Sequence, residues 1–91
     1  MKETMPQDQA TIDRITRAQD QHSEALLRLP NVVGTALGVK MIDDEPTGDL
    51  ALVVLVRQKV PLERLKPEER IPAEIDGVLV DVQEVGDVLA L

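Results

Sequence analysis

"LALVVLV", residues 50–56, decides the fold. In a strand, Leu50, Leu52, Val54 and Val56 point one way and Ala51, Val53 and Leu55 the other, because successive side chains alternate faces. Both sets are apolar, as expected of a strand buried on both sides. The preceding stretch, "NVVGTALGVKMI" (31–42), alternates differently. Val33, Leu37, Val39 and Met41 share a face with Thr35, while Gly34, Ala36 and Gly38 form the other. Between the two runs, "DDEPTGD" (43–49) has the acids, proline and glycine of a turn. Residues 31–60 therefore read as one β-hairpin.

Residues 8–29 lack Gly and Pro and are rich in helix formers. Ile12, Ile15, Leu26 and Leu29 fall on one helical stripe, with Gln19 and His22 between them. Asp8 is placed to cap the start, and Pro30 follows the end. After the hairpin, "PLERLKPEER" (61–70) carries Pro61 and Pro67, which permit a single helical turn but no long helix. In residues 71–85, Asp76-Gly77 between apolar runs signals a second hairpin, followed by an apolar tail at 86–91. A 22-residue helix is roughly 33 Å long, and a ten-residue strand is also roughly 33 Å long. The expected architecture is a single α+β domain, a two-layer sandwich with one long helix on a mostly antiparallel sheet of three or four strands.

One helix covers one face of a sheet. The second face of 50–56 then needs another cover, because an aliphatic patch of that extent is otherwise a contact surface. The candidates are a second copy of the chain, a partner domain, or the tail with Val88, Leu89 and Leu91. Gly34, Ala36 and Gly38 permit close approach, by the chain's own helix or by a second subunit. A phosphate-cradling loop is disfavoured, because the Gly-x-x-x-Gly spacing lies inside a strand and lacks the P-loop lysine. The candidate interface is Gly34, Ala36, Gly38, Ala51, Val53, Leu55, Val88, Leu89 and Leu91.

Composition narrows the function classes. The net charge is −7 and the 91 residues include no Cys, Phe, Tyr or Trp. This argues against nucleic acid, which needs basic patches and stacking aromatics, and against thiolate metal sites. The polar start does not read as a secretory signal, and no run approaches the ~20 apolar residues of a membrane span; the expected location is the cytoplasm. The late acids Glu74, Asp76, Asp81, Glu84 and Asp87 read as a solvated surface. Asp43, Asp44, Glu45 and Asp49 lack the alternation of a calcium loop and read as a solvated hairpin tip or a weak cation site. His22 and Ser23 are the only histidine and serine; neighbours on a helix diverge, so they do not form a nucleophile–base pair. His22 reads as a hydrogen-bonded or interface residue. No cofactor, metal or catalytic set is expected.

Three stretches taken together, "LPNVVGTALGVK", "PTGDLALVVLVRQKVPLERL" and "RIPAEIDGVLVDVQEVG", resemble the N-terminal region that precedes the catalytic domain in some bacterial trypsin-like serine peptidases. The resemblance spans roughly residues 29–86. The sequence has no Gly-Asp-Ser-Gly-Gly-type stretch, so no catalytic residue carries over. The resemblance implies a stand-alone accessory domain, with a peptidase domain as a possible partner. The leading expectation is a non-catalytic interaction module that forms a homo-oligomer through the second face of the sheet. The alternatives are a docking or regulatory subunit of a separate serine peptidase, and a small-ligand sensor beside the Gly34–Gly38 face.

Overall fold

The computed structural model describes residues 6–86, with side chains from residue 9 onward. Helix α1 (Pro6–Leu27) begins two residues before the expected start, with Asp8 inside it. Proline is tolerated there because the first-turn amides have no intrahelical acceptor. Ile15, Ala18 and Leu26 are buried, and Leu29, beyond the helix end, packs against the same core. Strands β1 (Val32–Ile42), β2 (Glu45–Val56), β3 (Glu74–Ile75) and β4 (Val78–Glu84) form one sheet in the order β1-β2-β4-β3. The chain is thus one N-terminal helix on a four-stranded sheet, an α+β fold.

The sheet is mixed. β1 pairs with β2 and β3 with β4 in antiparallel fashion, but β2 and β4 run parallel. Parallel neighbours require a crossover connection, here the segment from Arg57 to Ala73 with its two 3₁₀ turns, Leu62–Arg64 and Pro67–Glu69. β2 is therefore an inner strand with a neighbour on each side, which is why its sequence is apolar on both faces. Leu52, Val54 and Val56 pack under the helix with Val78 and Val80.

Both hairpin turns use residues with positive φ. At Asp76 and Gly77, φ is 52° and 77°, the left-handed pair that a two-residue hairpin favours, as the Asp-Gly signal implies. The first turn is shorter than expected. Asp43 and Asp44, at φ 53° and 65°, make it alone, and Glu45–Asp49 already belong to β2. The extra residues of β2 in this stretch form an irregularity opposite Lys40, where the Thr47 hydroxyl donates to the Lys40 carbonyl at 2.8 Å.

The second face of β2 is closed by the chain itself. Ala51 and Val53 are 0% and 3% exposed, so this part of the face is not waiting for a cover. The helix does not lie against Gly34, Ala36 and Gly38 either: Gln19 reaches Thr35 on the opposite side of β1, at 3.0 Å. What approaches the glycine face is β2. A Cβ on Gly38 would stand 2.8 Å from Val53 Cγ2, a separation real side chains do not adopt. The bare backbone lets β1 coil tightly over its neighbour.

Candidate interaction surface

The two sides of the β2–β4 pair end differently. On the far side, Asp81 is 7% exposed, not part of a solvated acidic surface. Its Oδ2 accepts the Met41 amide at 3.0 Å and the Gln83 side-chain amide at 2.9 Å. Lys40 Nζ lies 3.6 Å from its Oδ1, and Gln83 also donates to the Val39 carbonyl at 3.2 Å. These bonds join β4 to β1 across the intervening β2 and hold the coiled hairpin down over Ala51 and Val53. Burial opposes the charge on Asp81, but the bonds from Gln83 and Met41 and the Lys40 ammonium outweigh it and keep the carboxyl below its ordinary value.

On the helix side, at the carboxyl ends of the same two strands, the surface opens. β2 stops at Val56, and the Asn31 carboxamide there stands in for a strand: it accepts from Gln58 N at 3.1 Å and donates to the Gln58 carbonyl. Pro61 and Pro67 then open the two short 3₁₀ turns, beyond which the crossover forms no longer helix. Ala73 makes the crossover's backbone bond to β4, its carbonyl accepting Val80 N at 3.0 Å. Pro72 would fall opposite Asp81, at a position whose N–H faces away from β4, so the next bonded pair would be Ile71 with Val82. Among the described residues no backbone bond joins them, and the wedge beside Val82 stays open. The result is a groove of about 280 Å³ lined by Val56, Val60, Leu62, Leu65, Ile71 and Val82, with Asn31, Lys59 and Glu69 on its rim. Leu62 is 62% exposed, and Val85, which follows β4, is 44% exposed.

The residues expected at an interface separate into two groups. Gly34, Ala36 and Gly38 pair with Leu55, Val53 and Ala51 respectively, so these six come together on one face. That face is largely filled from within: Gly34, Ala36, Gly38 and Leu55 are half-buried, and Ala51 and Val53 are buried. Val88, Leu89 and Leu91 lie outside the described residues. The groove residues Leu62, Leu65 and Ile71 were not expected. The only sequence signal for them is three aliphatics, without helix or strand period, spread among the three prolines.

His22 and Ser23 diverge as their spacing implies. His22 Nε2 meets Asp76 Oδ2 at 2.9 Å, tying the helix to the β3–β4 turn, while the Ser23 hydroxyl donates back to the Gln19 carbonyl at 2.8 Å. Among the described residues, no group of three His, Cys, Asp or Glu side chains could hold a metal ion, and no helix is long and apolar enough to cross a membrane. No protein-family model matches the chain, and no curated protein matches it.

Proposed function

We propose that this chain is a non-catalytic module that works by protein–protein contact, and that the groove beside Val82 is its contact surface. The supporting observation is the groove itself: a concave, aliphatic site with an exposed leucine, Leu62, at its mouth. Such a site is a default binding surface, and an exposed aliphatic side chain beside it adds area that a partner would bury. This moves the contact away from Ala51 and Val53, which have almost no surface left to bury.

A second copy of the chain is the simplest partner and is tested first. Native mass is measured by light scattering with refractive-index detection, since the chain has no Trp or Tyr. Binding of the apolar dye anilinonaphthalene sulfonate is followed in parallel, for wild type and Leu62→Asp. A mass above 10.0 kDa that falls to the single-chain value in the variant supports contact between copies at the groove. A single-chain mass with dye binding that the variant loses supports an open groove that receives a different protein. The resemblance to the region preceding trypsin-like peptidases nominates a peptidase domain for that role. Identical mass and identical dye binding in the two proteins overturn the reading.

A further inference from the structure

β4 is bordered by β2 over Val80–Glu84 but on its other side only over Val78–Val80. β3 pairs with it at Glu74↔Leu79 and Ile75↔Val78, and the Ala73–Val80 bond adds one more contact before the chains part. On the other side, β2 takes alternate residues of β4. The Val85 amide donates to the Val56 carbonyl at 2.8 Å, so the odd-numbered residues from Asp81 onward turn their N–H and C=O groups toward β2. By the same alternation, Val82 and Glu84 turn theirs outward. Among the described residues, no backbone or side-chain group bonds to them there. The Val82 side chain lines the groove. One strip of the molecule thus offers an open main-chain edge and an apolar pocket side by side.

We infer that the groove receives an extended peptide segment of a partner protein, which adds to the sheet as a strand along Val82–Glu84 and sets one large apolar side chain into the pocket. This rests on the groove being the contact surface and specifies what fills it. Open amides and carbonyls are satisfied by another backbone, and alternate side-chain pockets are how strand addition reads sequence. A residue paired with Val82 directs its side chain to the helix face, where Leu65 and Ile71 stand. The next residue points to the far face, beside Gln83. The Glu69 and Glu84 carboxylates near this strip each accept one local amide, from Lys66 and Lys59 respectively. Lys59 lines the groove together with Glu69, so the rim carries both signs of charge and recognition rests on the main-chain edge and the apolar pocket.

The test is fluorescence polarisation of the full chain with fluorescein-labelled acetyl-Lys-Val-Leu-Val-Leu-Lys-amide, and with two versions N-methylated on alternate backbone amides. Strand addition predicts saturable binding that one methylated set weakens tenfold or more while the other set leaves it within twofold, because only alternate amides face β4. Leu62→Asp weakens the parent peptide at least fivefold. Equal loss from both methylated sets, or from neither, overturns strand addition even where Leu62→Asp still changes native mass or dye binding, so that the contact surface stands and its occupant is wrong. Absence of binding by the parent peptide also overturns it, provided a chain lacking residues 87–91 fails to bind as well. Binding only in that shortened chain, with the same methylation pattern, supports the edge and shows that the protein's own last residues compete for it.

Discussion

The far face around Val53 and the groove beside Val82 are built from the same aliphatic residues on adjacent strands, yet one is closed and the other open. Closure on the far face needs no added hydrophobic element. It comes from a glycine that lets β1 coil inward and from a carboxylate that ties the coil to β4. The groove stays open for a backbone reason: the crossover parts from β4 beyond the Ala73–Val80 bond, and among the described residues Ile71 makes no backbone bond to Val82. In both places what decides is main-chain hydrogen bonding, satisfied across the far face by Asp81 and Gln83 and, among the described residues, without a partner at Val82 and Glu84.

The sharpest way to break this contrast is to put a charge into each apolar region in turn. Val53→Asp places a carboxylate at a position 3% exposed, paired directly with Asp81, which already engages Lys40. An unpaired buried charge costs about 3–5 kcal/mol, a large share of the order of 5–10 kcal/mol expected for a small domain. Urea unfolding followed by far-UV circular dichroism should show the variant unfolded or nearly so in buffer. A native-like midpoint would mean that the far face opens readily to water.

The glycine face supplies its own internal comparison. Gly38→Val forces a Cβ to within 2.8 Å of Val53 Cγ2 and should cost about 1–3 kcal/mol through overpacking. At Gly34→Ala the new Cβ meets Leu55 Cδ1 at 3.7 Å, an ordinary contact. That variant should stay within about 1 kcal/mol of wild type. Equal effects at the two sites would remove the case that coiling of β1 depends on Gly38.

Asp81 carries the polar half of the closure. Asp81→Ala leaves the Met41 amide without its acceptor and should cost about 1–3 kcal/mol. The pH dependence has a definite sign. The folded-state pKa of Asp81 is lowered, so its contribution is fully present above the unfolded carboxyl value, near 4. It is lost as pH falls from there through the depressed folded value. Urea midpoints measured between pH 7 and pH 2 should fall on the acid side, and Asp81→Asn should flatten part of that fall. An unchanged acid branch in the variant would assign it to other carboxylates.

What was legible in the sequence follows the range of the physics. The long helix, the doubly apolar Leu50–Val56 strand and the Asp76-Gly77 turn are written in periodicity and local φ preference, and each is present. Parallel pairing of β2 with β4 joins residues such as Val53 and Asp81 that are far apart in the chain, and no local pattern announces it. Asp81 looked like one of a run of solvated acids because two of its partners, Met41 and Lys40, are on another strand, and only the coiling of β1 brings them near. The groove was half legible. The prolines told where regular structure would fail, but not that the failure would leave Val82 and Glu84 facing outward.

Leu62→Asp is the counterpart of Val53→Asp and the smallest expected effect on stability. The side chain is 62% exposed, so a carboxylate there remains in water. Surface changes of this kind stay within about 0.5 kcal/mol. The same substitution that unfolds the chain at Val53 should therefore leave the urea midpoint at Leu62 almost unmoved while changing native mass or dye binding. That separation of stability from contact is what distinguishes a surface kept open for a partner from one that is part of the core. A loss of more than about 1 kcal/mol would mean that Leu62 packs into the fold, and the groove would then be an extension of the core.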